Sequence, residues 1–570
     1  MNLVIARRVC AGNELLDSRL HPVLRRAYAA RGVRETSDLQ LGLDRLIPVG
    51  TLESVEAAVN LILEHRNRRI LVIGDFDADG ATSTALIVRC LRAWGFASVD
   101  FLVPNRFEYG YGLTPEIVAL AAERAPTLIV TVDNGISSNA GVAAARARGI
   151  QVLITDHHLP GALLPDADVI VNPNVPGSQF RSRALAGVGV AFYVMAALRR
   201  ELENRGIAAQ PSVTDYLDLV ALGTVADLVP LDVNNRVLVS QGIRRIRAGR
   251  AVPGIRALLS ISNRGFAELT AADLGFSIGP RLNAAGRLDD MSIGIRCLLA
   301  DSEQEALALA TRLDQLNAER REIETRMQGA ALAAVSSLRE PGTGPGSRHG
   351  VCLFNADWHQ GVVGLVASRI KDRVRRPVIA FARAGDGTLR GSARSVPGIH
   401  IRDVLDAIAA RSPELISRFG GHAMAAGLTL EECHLDAFAR AFDAEVANWH
   451  DPSIASNRVE TDGELANEEI ALETAQALRD GGPWGQAFPE PCFDGRFAVR
   501  NARVVGDKHL KMWVATHDQA RSFDAIAFNF KGSDETPKLP DGEVHLVYRL
   551  DINEYRGERR LQLLVDHVLP

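Results

Sequence analysis

The sequence predicts an α/β protein: a parallel-sheet domain joined by a long helix to a second α/β domain, with a small β-barrel at its C-terminal end. Three observations predict it. First, the runs RRILVIGD (68–75), PTLIVTVD (126–133), IQVLITD (150–156) and ADVIVNP (167–173) alternate with helix-like stretches near 82–94, 114–124 and 137–147. Short β-branched runs with helical crossovers form a parallel sheet covered on both faces. Second, the chain from Ser302 to about Val335 has helical periodicity and no proline, and Ser302 with Glu305 reads as a capping box at its start. Third, RFAVRNARVV, EVHLVYRLDI and RRLQLLVDHV, all beyond residue 457, are short strand-like segments.

In chain order, residues 1–50 are an N-terminal extension, helical and loop-like, with no visible chemistry. Residues 51–300 make the parallel-sheet core, 301–340 the connecting helix, 345–455 the second α/β domain and 457–570 the barrel. The segment EPGTGPGSRHG (340–350) reads as linker. A chain of 570 residues exceeds one hydrophobic core, so two to four domains are expected.

Composition excludes several classes. With 47% apolar and 23% charged residues, the chain is not mostly disordered. Lys and Arg total 64 against 69 acids, a net charge of −5, so any nucleic acid must be held by a local basic patch. The six cysteines form no CxxC pair, which fits reduced thiols better than a disulfide or zinc framework. The start lacks an apolar stretch long enough for a signal peptide, and no window suits a membrane span. A soluble, cytoplasmic protein is expected.

The chemistry sits at strand ends. Gly74-Asp75-Phe76-Asp77-Ala78-Asp79-Gly80 directly follows the run ILVI. Its DxDxDG spacing resembles the start of an EF-hand loop, but the bidentate Glu of that loop would fall on Leu86. A phosphatase of the aspartyl-nucleophile type would carry Thr or Val where Asp79 stands. A solvated acidic turn is the bland reading, yet three carboxylates at one strand end repel unless a cation is present. Val132-Asp133-Asn134-Gly135 and Thr155-Asp156-His157-His158 end two further runs, and loops from separate strands of such a sheet converge at its carboxyl edge. In the apolar stretch Asp218-Leu-Val-Ala-Leu-Gly-Thr-Val-Ala-Asp227 a buried acid needs a partner, and a metal is a natural one. Carboxylates with one or two imidazoles are hard ligands, pointing to Mn²⁺ or Mg²⁺. So many acids suit two ions, which lie ~3.5–4 Å apart in phosphate-ester-cleaving enzymes.

The four elements DFDADG, VDNG, DHH and GTVAD resemble motifs I to IV of the DHH phosphoesterase superfamily. Further segments narrow the likeness to the RecJ family of single-stranded-DNA exonucleases. They are Pro104-Asn105-Arg106-Phe107 with Gly110-Tyr111-Gly112-Leu113, Gly279-Pro280-Arg281-Leu282-Asn283-Ala284-Ala285-Gly286-Arg287, Trp358-His359-Gln360-Gly361, Gly391-Ser392-Ala393-Arg394-Ser395 and Gly420-Gly421-His422-Ala423. The last three resemble the accessory DHHA1 domain, and YRLDINEYRGERRLQLLV resembles an OB-fold. Ala393 departs from the pattern, standing where a glycine is expected.

The resemblance implies hydrolysis of phosphodiester bonds in the 5′-to-3′ direction by two-metal catalysis, in DNA recombination and repair. It implies Asp75, Asp77, Asp79, Asp133, His157 and Asp227 as ligands of two Mn²⁺ or Mg²⁺ ions, and Asp133, His157 and His158 as catalytic residues. Asp227 is preferred to Asp218, which would support the ligands. For a single strand with a 5′ end, Ser392 and Arg394 would grip the terminal phosphate, with Arg106, Tyr111, Arg281, Asn283 and His422 along the path. An ion-paired Arg281 is the plain alternative. Phe107, Tyr111 and Trp358 could stack bases, and Lys508, Lys511, Trp513, Arg549, Tyr555, Arg556, Arg559 and Arg560 would suit strand binding by the barrel. The family suggests a single-strand-binding protein and a helicase as partners, and a monomer. Two rivals are a DHH phosphoesterase acting on short oligoribonucleotides or cyclic dinucleotides, against which the barrel argues, and a non-catalytic DNA-binding scaffold, against which the complete set of acids argues.

Overall fold

Short runs of Val, Ile and Leu that are buried on both faces satisfy their backbones as strands of a parallel sheet. A computed structural model describes residues 3–10, 12, 15–105, 108–336, 348–385, 387–449, 458–506, 508–530, 539–555 and 557–569. It forms two units, Ala6–Asn317 with Glu460–Pro570, and Ala318–Val459 with Met1–Ile5.

In the first unit five strands, β1 (Arg69–Gly74), β2 (Ser98–Leu102), β3 (Leu128–Val132), β4 (Gln151–Thr155) and β5 (Val169–Val171), lie parallel in the order β2-β1-β3-β4-β5. Register aligns Gly74 with Val132 and Val132 with Thr155, so the chain leaves three neighbouring strands side by side at Asp75, Asp133 and Asp156. Strand alternation divides the core. Ile70 and Val72 face the helices α1 (Ala78–Ala93) and α4 (Gly187–Asn204), whereas Leu71 and Ile73 face α2 (Pro115–Ala122) and α3 (Asn139–Arg146). Helix α5 (Leu217–Ala226) is apolar on every side and correspondingly buried. Helix α6 (Gly279–Leu288) follows, and the 33-residue α7 (Glu303–Val335) carries the chain from this unit into the other. At its start Ser302 Oγ accepts the Glu305 N–H at 3.2 Å.

The strands Phe493–Val505, His509–Thr516, Ser522–Ala527, Gly542–Tyr555 and Glu558–Leu569 close a barrel, the last strand pairing with both the third and the fourth. Its interior residues Phe493, Phe497 and Tyr548 belong to the same buried cluster as α1 and α4. The second unit holds a five-stranded mixed sheet, in the order Arg418–Gly421, Ala425–Glu431, Thr388–Arg394, Val378–Gly385, Val351–Phe354, with helices Val363–Val374, Ile401–Arg411 and Leu435–Trp449.

Three elements differ from expectation. Strand β2 was not foreseen: SVDFL is short, lies at a sheet edge and exposes Asp100. Residues Val4–Arg7, read as helix or loop, form a strand, and Arg7 pairs with Asp494 of the barrel at 2.7 Å. Helix α1 begins at Ala78 rather than near 82, so Asp77 is its N-cap and Asp79 lies in its first turn. Among the described residues no single helix is long and apolar enough to cross a membrane.

Candidate metal centre

Each acid is fixed by the backbone that delivers it. Asp75 Oδ1 accepts the Phe76 N–H at 2.8 Å, and Asp77 Oδ1 accepts the Gly80 N–H at 3.0 Å as helix cap. Asp79, its side chain wholly buried, accepts from Gly187 N (2.6 Å) and Val188 N (2.9 Å) at the start of α4, where orphan amides and the helix dipole favour an anion. Asp133 sits at the turn after β3 with φ +61°, a left-handed conformation that aims its buried carboxylate back over the strand ends. The turn is locked by Asn134 Nδ2, which donates to Val132 O at 2.9 Å and Ile73 O at 3.2 Å. Asp227 caps the C-terminal end of α5.

These side chains converge. His157 Nε2 lies 3.1 Å from Asp133 Oδ1, 3.5 Å from Asp227 Oδ2 and 4.0 Å from Asp79 Oδ2. Three overlapping groups, Asp133–His157–His158, Asp79–His157–Asp227 and Asp75–Asp77–Asp133, each bring their ligand atoms within 4.8 Å of one another. Electrostatics registers the crowding. Burial, then the charge of Asp77, lifts Asp79 to about 7, and burial, then the charge of Asp79, holds Asp133 and Asp227 well above the usual carboxylate range. Burial, with His158 beside it, lowers His157 to about 4.

The donor set fits divalent cations. Asp133 Oδ1 and His157 Nε2 are buried without a hydrogen-bond partner among the described residues. The His157 ring bonds the Leu185 backbone, which leaves a neutral Nε2 lone pair facing the acids. A buried polar atom without a partner is costly, and a cation would satisfy both at once.

Asp156 has a different task. Its Oδ1 accepts from His157 N (2.7 Å), His158 N (3.1 Å) and His158 Nδ1 (2.8 Å), and its Oδ2 accepts from Ile136 N (2.9 Å). Burial lowers His158, but the Asp156 hydrogen bond and the surrounding negative charge outweigh it and raise His158 to about 9. Sequence reasoning missed two asparagines that brace the pair: Asn174 Nδ2 donates to His157 O at 2.6 Å and Asn172 Nδ2 to His158 O at 2.9 Å. Their signal was the Asn-Pro-Asn that ends the fourth apolar run.

The remaining expected residues divide. Tyr111 is at the centre, its hydroxyl 3.3 Å from both Asp133 O and His158 Nδ1. Arg106, Phe107 and Arg556 lie outside the described residues, as does the Tyr555 side chain. Arg281, expected along the substrate path, is buried and spends its guanidinium on Asp314 (2.8 Å) and Ser277 O (2.5 Å), the ion-paired alternative. Asn283, expected to touch substrate, accepts the Ala78 N–H with its Oδ1 at 2.8 Å and so secures the start of α1. Asp218, a candidate support for the ligands, is turned to Val252 N at 2.6 Å, at the opposite end of α5 from Asp227. In the second unit Arg394 Nη1 donates to Ser392 Oγ at 3.0 Å, beside Gly364 near the start of the helix Val363–Val374. His422 lies in the turn between two strands, its N–H donating to Ala425 O at 2.8 Å, and Trp358 is buried. In the barrel Trp513 is exposed, while Arg549 is ion-paired with Glu490 and Asp566.

Comparison with known proteins matches residues 69–224 to the DHH family N-terminal domain, 348–448 to the DHHA1 domain and 461–567 to the RecJ OB domain. The chain is 54% identical to the single-stranded-DNA-specific exonuclease RecJ of Dickeya dadantii, over 100% of both chains. It is 53% identical to the protein of that name from Escherichia coli, over 97% of both. The crystal structure of RecJ in complex with Mn²⁺ from Thermus thermophilus superposes with a TM-score of 0.79 at 31% identity, covering 99% of this chain and 77% of that one. With three domain matches in order and relatives this similar along the whole sequence, the chain belongs to the RecJ family.

Proposed function

We propose that this chain is a metal-dependent exonuclease that degrades single-stranded DNA in the 5′-to-3′ direction. The observation that carries the reading is the pair of unpartnered buried ligand atoms, Asp133 Oδ1 and His157 Nε2, ringed by Asp75, Asp77, Asp79 and Asp227. Those six residues would hold two divalent ions, Mn²⁺ or Mg²⁺, the ions with which RecJ of Thermus thermophilus has been crystallised. When bound, such ions supply Lewis-acid activation of the attacking water and neutralise charge on the departing 3′ oxygen.

The chain's own groups do the rest. His158, whose Nδ1 is held by Asp156 and whose pKa that bond raises, offers a ring N–H to the scissile phosphate. The Tyr111 hydroxyl lies within reach of the same imidazole and helps orient the strand. Asp79, bound by two amides of α4, keeps its carboxylate fixed while substrate changes. In the second unit Ser392 and Arg394 present a hydroxyl and a planar guanidinium that suit a terminal 5′ phosphate. The domain boundaries expected from sequence give each task its module, and the barrel adds a surface for single strands. The biological setting that suits this chemistry is recombination and repair in the cytoplasm, by a monomer working with a single-strand-binding protein and a helicase that exposes ends.

Long 5′-phosphorylated single-stranded DNA incubated with the full chain and Mn²⁺ tests this. Release of mononucleotides that stops with EDTA and spares blunt duplex is expected. Intact single strands, or digestion indifferent to chelator, would overturn it.

A further inference from the structure

Within the first unit lies a cavity of about 580 Å³, walled on one side by Thr224, Val225 and Leu228, the residues that flank Asp227. The Asp227 carboxylate itself faces His157, so this space is distinct from the metal centre. Two polar atoms in the wall are buried without a hydrogen-bond partner among the described residues: Thr224 Oγ1 and Arg236 Nε, on residues 0% and 3% exposed. Buried donors of this kind are ordinarily satisfied, and both residues stand in the wall of the cavity.

The rest of the wall defines the ligand's chemistry. Arg244 and Arg247 add two guanidinium groups to that of Arg236, Arg247 through the nitrogens not bonded to Leu269 O; Arg479 and Glu490 are ion-paired with Glu268 and Arg549, which leaves Asp480 as the acid set against three arginines. The lining is therefore positive. Next to it stand Trp484, and Phe276, which is 80% exposed. Guanidinium forks beside an aromatic wall suit a phosphate joined to a flat ring system, and the volume is that of a small-molecule pocket.

We propose that this cavity binds a nucleoside 5′-monophosphate at a second site. The choice of ligand rests on the function proposed above, whose product is of that class, but the site does not depend on catalysis. Because Thr224 lies one helical turn before Asp227, occupancy would sense product next to the catalytic ligands.

Calorimetric titration of the full chain with dAMP, in EDTA and in an Asp133→Ala background, separates this site from the metal centre and from the activity. Saturable binding is expected in both conditions. It should weaken about tenfold in Arg244→Ala, whose exposed side chain is not needed for folding, and in the near-isosteric Thr224→Val. Deoxyadenosine and inorganic phosphate should each bind at least about tenfold more weakly than dAMP. No saturable binding in EDTA, binding unchanged in well-folded Arg244→Ala, or inorganic phosphate binding as tightly as dAMP would each overturn the proposal. Displacement of dAMP by a 5′-phosphorylated dodecamer would assign the cavity to the strand's end and overturn it as a product site.

Discussion

His157 Nε2 and Asp133 Oδ1 stand 3.1 Å apart, on loops that leave adjacent parallel strands, and neither has a hydrogen-bond partner among the described residues. Replacing Asp133 therefore removes a ligand oxygen that no hydrogen-bond donor among the described residues holds. In Asp133→Ala, Mn²⁺-dependent nucleotide release should fall by roughly three orders of magnitude, the scale of losing a charge-stabilising element in phosphate chemistry. The melting temperature in EDTA should hold or rise, because one of several crowded like charges is gone. Near-normal activity would refute the ligand assignment.

Without divalent ions the centre should make stability fall as pH rises. An unfolded Asp79 releases its proton near 3.8, whereas the folded one holds it to about 7. Between those values the folded state carries the extra proton, so raising pH favours unfolding. Scanning calorimetry in EDTA should show the melting temperature declining from pH 5 to 7, and Mn²⁺ should raise it more at pH 7.5 than at pH 5.

Asp156 touches no substrate in this scheme, yet it orients both histidines. Asp156→Asn should lower activity about 10- to 100-fold, the usual cost of losing a group that positions a ligand. By NMR the His158 imidazole, about 9 in the wild type, should titrate distinctly lower. An unmoved His158 would separate the two residues.

A methyl group placed on Gly187 would stand 2.7 Å from Asp133 Cβ and 2.8 Å from its Oδ1. Gly187→Ala should thus push the carboxylate aside and weaken Mn²⁺ binding about tenfold, with little change in far-ultraviolet circular dichroism. Unaltered affinity by titration calorimetry would mean that the turn relaxes freely.

Arg394→Ala should weaken binding of 5′-phosphorylated strands about tenfold while leaving unphosphorylated strands nearly unaffected. Fluorescence anisotropy with paired oligonucleotides measures this directly. Equal weakening of both would sink the end-recognition role.

The sequence made Asp75, Asp133 and Asp156 legible because apolar β-branched runs announce parallel strands, and a polar residue closing such a run must leave the sheet at its carboxyl edge. It did not show that Asp79 would be bound by amides 108 and 109 residues away, since which helix end meets which carboxylate is a tertiary fact. The directions taken by Arg281 and Asn283 were illegible for a related reason. A motif gives residue identity and spacing but not the direction of a guanidinium or amide, and both turned inward to Asp314 and Ala78. Strand β2 escaped because five residues at a sheet edge, one of them an exposed aspartate, carry too little apolar pattern.

The barrel shares its buried cluster with α1 and α4, although the whole of 318–459 intervenes in sequence. Residues beyond 459 also cover Tyr28, whose ring packs on Trp484 and Phe488, so their removal would bare apolar surface on the helix that carries it.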